Sequence, residues 1–183
     1  FVGELIDRAK AAGCGALLIT VDLAYTGARY RDVRSGMAGG LGAGGKLAVA
    51  LDRARRLAWI RDVALGGRPL VFGSIASKLP HARSLPEFVE FVAGNFDPSV
   101  TWKDVEWIRD RWGGPLVVKG VMEAADARLA ADAGAHAVIV SNHGGRQLDS
   151  VPSTISALPA IADAVGDRVD VIALSGNGST TVV

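Results

Sequence analysis

His136-Ala137-Val138-Ile139-Val140 runs directly into Ser141-Asn142-His143-Gly144-Gly145-Arg146-Gln147-Leu148-Asp149, and these fourteen residues decide the fold. The first five are strand formers that stop at once, and Thr154 to Val165 beyond the loop reads as a helix. A histidine and an arginine therefore sit on a glycine-hinged loop just past the C-terminal end of a strand. In parallel α/β proteins that edge is where ligands bind and catalytic side chains collect. His143 can carry a proton near neutral pH, and Arg146 offers a planar fork matched to a carboxylate. A base and an anion clamp three residues apart point to proton abstraction from a small carboxylic acid.

Working outward, the same alternation recurs. Pro115 to Lys119 reads as a strand, Glu123 to Gly134 as a helix, Pro152 to Val165 as a helix and Asp170 to Leu174 as a strand. From Gly113 onward the order is βαβαβ with short connections, which predicts a parallel sheet with right-handed crossovers. Earlier in the chain, Ala16 to Val21 is a short apolar strand ending at Asp22, preceded by an amphipathic helix over Phe1 to Gly13. Thr101 to Trp112 is a further helix, stopped by Gly113-Gly114, and a short one starts at Pro86 to Phe91 after Ser84. Four strands, each with something polar at its C-terminal end, make a (β/α)₈ TIM barrel the expected fold. A complete barrel takes about 250 residues, so these 183 residues supply a partial barrel of about four βα units. A long insertion follows the first strand. The chain reads as a single domain over 1–183 with the insertion at about 33–100. Within it, Gly36 to Gly45 holds six glycines in ten residues, a flexible stretch. Leu47 to Leu65 reads as a basic amphipathic helix, with Arg53, Arg55, Arg56 and Arg61 among its leucines.

Composition excludes several classes. A net charge of +1 gives no global reason to expect nucleic acid, and 49% hydrophobic residues suit a packed core. One cysteine, Cys14, allows no internal disulfide and fits a reducing, cytoplasmic setting. No apolar run reaches the roughly 20 residues of a membrane span. The chain opens on Phe1 without a signal-peptide pattern and reads as a piece of a longer barrel. No zinc spacing, phosphate loop or serine-nucleophile elbow is present.

Three residues join His143 and Arg146 as candidates. Asp22, near the end of the first strand, can hold the imidazole and stabilise it once protonated; the bland alternative is a turn cap. Lys119 closes an apolar strand, where a lysine is either functional, stabilising an anion, or snorkelling to the rim. Arg29 is either a second carboxylate contact or a solvated loop arginine. His81 and His136 have no convergent partners and read as structural, and the four tryptophans as packing.

The loop Ser141 to Asp149 resembles the signature of the FMN-dependent α-hydroxy acid dehydrogenases and oxidases. Thr20-Val21-Asp22, Gly27-Ala28-Arg29-Tyr30-Arg31-Asp32, Asn95-Phe96-Asp97-Pro98-Ser99, Trp102-Lys103-Asp104 and Val118-Lys119-Gly120 are similar, more narrowly, to its bacterial respiratory L-lactate dehydrogenase branch. The match runs from about Phe1 to Leu174 and is weakest across Gly39 to Arg83. The resemblance implies FMN at the C-terminal mouth of a barrel and oxidation of L-lactate to pyruvate. His143 is then the base, Asp22 its partner, and Arg146 and Arg29 the substrate-carboxylate contacts. Lys119 lies by the flavin N1/O2 edge, Thr20 contacts the flavin, and Ser141 belongs to the cofactor set. It further implies a quinone or cytochrome acceptor and a homo-oligomer at full length. A soluble oxidase using oxygen, or an inactive barrel fragment, are the alternatives.

The chain also departs from the family. An Asp-x-Gly-x-Arg stretch that binds FMN is expected after the strand ending at Leu174, and here Leu174 to Thr181 has neither the aspartate nor the arginine. The opening strands and the last one are absent as well. Weak FMN binding by this chain, or none, is the expectation. Leu47 to Leu65 suggests a second kind of partner, an anionic lipid surface on the inner face of the cell membrane; the bland alternative is a helix packed on the barrel.

Overall fold

The computed structural model describes residues 1–23, 34, 42–66, 78–79, 85–94, 97–174 and 180–182. In chain order its elements are α1 (Val2–Ala11), β1 (Leu17–Thr20), α2 (Ala43–Ala54), α3 (Leu57–Trp59) and a π-helical turn (Ile60–Leu65). Then come α4 (Leu85–Gly94), α5 (Trp102–Trp112), β2 (Leu116–Val121), α6 (Ala124–Asp132) and β3 (Ala137–Val140). A 3₁₀ turn (His143–Gly145), α7 (Thr154–Val165), β4 (Asp170–Leu174) and β5 (Thr180–Val182) complete the list. The chain divides into two compact units: Phe1–Gly27 with Phe96–Val183, and Ala28–Asn95.

The first unit is built on one sheet in the order β1-β2-β3-β4-β5. β1 to β4 are mutually parallel, so their C-terminal ends share one edge. Alternation along each strand sorts the side chains onto two faces. The row Ile19, Val118, Val138 and Val171 lies in register across the sheet. It packs in the core with Ala127 and Ala130 of α6 and Leu158, Ile161 and Val165 of α7. Leu116, Val118, Val138, Val171 and Ile161 are all fully buried, and each such side chain stabilises the fold by about 1.5–3 kcal/mol. The opposite face carries the row Thr20, Lys119, Ile139 and Ile172. This second row delivers a cation and a hydroxyl to the ligand-binding edge.

α5 shows how a helix end is set locally. The Asp104 carboxylate accepts from the Thr101 amide and hydroxyl, both at 2.7 Å. Those two donors, hydroxyl first, hold the Asp104 carboxyl below the usual carboxylate range. At the other end Gly113 takes the left-handed conformation at φ 68, which glycine adopts without strain.

Three expectations are corrected. β2 does not end at Lys119 but continues to Val121, across a register shift between Lys119 and Val121. Gly120, at φ +104, makes that bulge possible. A fifth strand, β5, follows β4 antiparallel, with Leu174 opposite Thr180. The connection is five residues long, and so short a link joins neighbouring strands only as a hairpin, because a parallel crossover needs a dozen residues or more. The helix expected over Leu47 to Leu65 is not continuous. Arg56 leaves the helical region at φ -89, ψ 64, and the preceding Arg55 amide is shared between the Leu51 and Asp52 carbonyls, a tightened last turn. Of the glycine-rich stretch, Gly44 and Gly45 belong to α2, while Gly36 to Leu41 lie outside the described residues, as do His81, Ser84 and the segment from Tyr25 to Asp32.

Candidate active site

The parallel register puts Thr20 directly across from Lys119, and the Val21 amide continues the ladder by donating to the Lys119 carbonyl at 2.9 Å. Asp22 follows immediately, at the edge of the sheet. From β3 the chain passes through Ser141, which is buried, into the His143 turn.

His143 is held in a conformation it would not choose alone. Its φ of 56 is in the left-handed region, uncommon for a residue with a side chain. Neighbouring polar groups fix it there. The Ser141 hydroxyl oxygen accepts from the His143 amide at 3.3 Å. The Asn142 side-chain oxygen accepts from the Gly144 amide at 2.9 Å, and its amide group donates to the Pro152 carbonyl at 3.0 Å. Asn142 thus ties the turn to the segment that leads into α7. Gly144, at φ 66, supplies the second left-handed residue of the turn.

The result is a convergence of residues far apart in sequence. His143 Nδ1 lies 3.0 Å and 2.9 Å from the two carboxylate oxygens of Asp22. Lys119 Nζ lies 3.3 Å from the same nitrogen. The histidine and aspartate side chains retain 29% and 15% of their exposure, enough shielding to strengthen their interaction and enough opening for a small ligand. One ring nitrogen either donates or accepts, so a bond to Asp22 and a bond from Lys119 exclude one another. With Nδ1–H donating to Asp22, the Nε2 lone pair is left to take a proton from a ligand.

Of the residues singled out from sequence, Asp22, Lys119, Ser141 and His143 meet through these contacts, and Thr20 stands beside Lys119 in register. Arg146 is exposed on the same loop, its amide donating to the His143 carbonyl at 3.3 Å. Arg29 lies outside the described residues. His136 is remote from this edge; its Nδ1 accepts from the Leu116 amide at 3.2 Å, at the start of β2. Two residues escaped the sequence reading, Asn142 and Gly120. For Asn142 a signal existed, since an asparagine two residues before a glycine amide is a turn former; Gly120 gave none.

The donor set can be tested against a flat ring bearing polar edges and an anionic tail. An ammonium at Lys119 and hydroxyls at Thr20 and Ser141 lie along one edge. Leu18 and Val117, paired in register on the face that carries Lys119, add apolar surface, and Leu18 is 49% exposed. The cation, the Thr20 hydroxyl and the apolar surface suit the ring of a flavin.

Comparison with known proteins agrees. Residues 1–180 match the family described as FMN-dependent dehydrogenase. A curated L-lactate dehydrogenase of Caulobacter vibrioides is 52% identical over 176 residues, covering 96% of this chain and 45% of that protein. One of the same name from Caulobacter sp. (strain K31) is 49% identical, covering 96% and 46%. The chain therefore spans less than half the length of the curated relatives it matches. Among solved structures, the monotopic membrane protein (S)-mandelate dehydrogenase superposes with a TM-score of 0.76 at 30% identity, over 95% of this chain and 45% of that one. The parallel strands and their helices match the α/β architecture of such TIM-barrel flavoenzymes.

Proposed function

From the premise that the chain belongs to the family of FMN-dependent dehydrogenases, we propose that it carries the catalytic edge of an enzyme oxidising L-lactate to pyruvate. The acceptor of the electrons would be a respiratory one, a quinone or a cytochrome. The observation that carries this reading is the meeting of Asp22 with His143 Nδ1 at 2.9 Å across 121 residues of sequence.

His143 is the base. Asp22 accepts from Nδ1–H, fixes the ring orientation and stabilises the imidazolium once Nε2 has taken a proton from the hydroxy acid. Arg146 holds the substrate carboxylate, so that the α-carbon is presented to the base in one orientation; Arg29, the other carboxylate contact that the resemblance implies, lies outside the described residues. Lys119, Thr20 and Ser141 would hold FMN, and the Lys119 ammonium would balance negative charge on it. When bound, FMN supplies the two-electron oxidant that the conversion of an alcohol to a ketone requires. Residues 1–183 form a single partial barrel domain of the family, interrupted at about 33–100; the separation of Ala28–Asn95 as a compact unit supports this division.

The test is the visible spectrum of the protein with FMN in excess, before and after anaerobic L-lactate. Bleaching of the flavin with matching pyruvate formation is expected, and because lactate does not reduce free FMN the bleaching reports catalysis by the protein. A flavin that binds yet stays oxidised with every 2-hydroxy acid offered overturns the reading. Turnover with oxygen as sole acceptor at the same rate would make the enzyme an oxidase instead.

A second reading concerns location. Leu47, Leu51, Leu57 and Leu65 are exposed, Leu57 by 73% and Leu65 by 79%. They accompany exposed Arg55, Arg56 and Arg61. Apolar and basic side chains exposed together suit peripheral contact with an anionic membrane face. Among the described residues no helix is long and apolar enough to cross a membrane.

A further inference from the structure

The bulge in β2 has a steric partner. Gly120 sits at φ +104, and a Cβ added there would lie 2.6 Å from Asp22 Cγ, 2.7 Å from its Cβ and 2.9 Å from Oδ1. Distances this short force something to move. A different side-chain rotamer cannot relieve the contact with the Asp22 Cβ, which is fixed by the backbone. That backbone is itself pinned, because the adjoining Val21 amide donates to the Lys119 carbonyl at 2.9 Å. Asp22 therefore stands in the space that a side chain at residue 120 would fill.

We propose that Gly120 is a positioning residue whose missing side chain lets Asp22 reach His143 Nδ1, and that it thereby decides which ring nitrogen carries the proton. The proposal rests on His143 being the base. Two groups face Nδ1, the Asp22 carboxylate and the Lys119 ammonium. With Asp22 in place, Nδ1 carries hydrogen and Nε2 is bare. With Asp22 displaced, Nδ1 is left to accept from Lys119, and the proton of the neutral ring moves to Nε2. That is the nitrogen required to be empty, so a methyl group on β2 would silence the base without touching the substrate.

Histidine ring ¹⁵N NMR tests this without turnover. The chain has three histidines, His81, His136 and His143, so a His143→Gln spectrum assigns the ring. The native protein is expected to show the Nδ1–H tautomer with a downfield, carboxylate-bonded proton. Gly120→Ala is expected to lose that proton and show the Nε2–H tautomer, as Asp22→Ala does. A Gly120→Ala protein that keeps the Nδ1–H signature overturns the positioning role and leaves the lactate reading intact. A native protein already in the Nε2–H form overturns both. Thermal melts separate the steric clash from backbone strain, which any side chain at φ +104 suffers. Gly120→Ala is expected to lower the melting temperature less in an Asp22→Gly background, where the colliding atoms are gone. Equal losses in the two backgrounds overturn the proposal, as does a double variant that stays unfolded when Gly120→Ala alone is unfolded.

Discussion

At the scale of residues, the proposed chemistry depends on a charge and a fork. Asp22→Asn keeps size and shape but removes the charge that stabilises the protonated ring, and it offers a donor where an acceptor is needed. The expected outcome is a fall in kcat by about 10²–10⁴, the range of a lost acid–base contribution. KM for lactate should change little, because Asp22 is not a substrate contact. Arg146→Lys should do the reverse. A lysine keeps the charge but not the bidentate geometry, so KM for lactate should rise about tenfold or more with a smaller change in kcat. Steady-state kinetics on the two variants checks both. The part given to Arg146 is a proposal, whereas the meeting of His143, Asp22 and Lys119 was legible in the sequence because their side chains are costly or reactive where the strand pattern puts them. Asn142 and Gly120 were not, for one acts through backbone bonds and the other through an absent side chain. Of the two, only Asn142 left a trace in its residue type, as a turn former.

At the scale of elements, β2 to β4 and the helices between them were legible to within a few residues. Continuous apolar strands and capped amphipathic helices leave few alternatives. β5 was not, since Thr180-Thr181-Val182 is too short to show any period. The break at Arg56 was hidden by a leucine pattern that runs on across it. The buried face of β2 gives a direct test. Leu116 is fully buried, and Leu116→Ala should destabilise by about 3–5 kcal/mol, the range for a core leucine that leaves a cavity, as read by urea unfolding. The start of α5 gives a pH test. Bonds from Thr101 hold the Asp104 carboxyl below its usual range in the folded chain. Its stabilising effect is therefore complete above the ordinary carboxylate range and is lost as pH falls through the depressed folded-state value. Asp104→Asn should melt below the native protein at pH 7, and the gap should close in strong acid. A gap that persists at the lowest pH at which the fold survives would show that the charge is irrelevant to the cap.

At the scale of the whole molecule, the alternation of strands and helices was enough to predict a parallel sheet with its polar residues gathered at one edge, because short βα connections allow few other arrangements. Among the described residues of the Ala28–Asn95 unit there are helices and no strand, and the contact proposed for them is argued from surface chemistry instead. Between Lys46 and Leu65 there are five basic residues against two acidic ones. Arg56 and Arg61 are paired with Asp52 at 3.2 Å and Asp62 at 2.7 Å, but exposed pairs of this kind are weak and exchange readily for other anions. Each basic group near an anionic leaflet contributes about 1 kcal/mol, and the exposed leucines add apolar insertion. Co-sedimentation with vesicles containing phosphatidylserine should therefore be strong at low salt and weaken as salt rises. Replacing Arg55, Arg56 and Arg61 with glutamate should lower the partition at least tenfold, while phosphatidylcholine vesicles should bind both proteins weakly. Leu57→Ser with Leu65→Ser separates the two contributions: loss of binding at high salt alone assigns the residual affinity to insertion. Binding to phosphatidylserine vesicles that is unchanged by the charge reversal would remove electrostatic attraction to an anionic lipid surface as the basis of the contact.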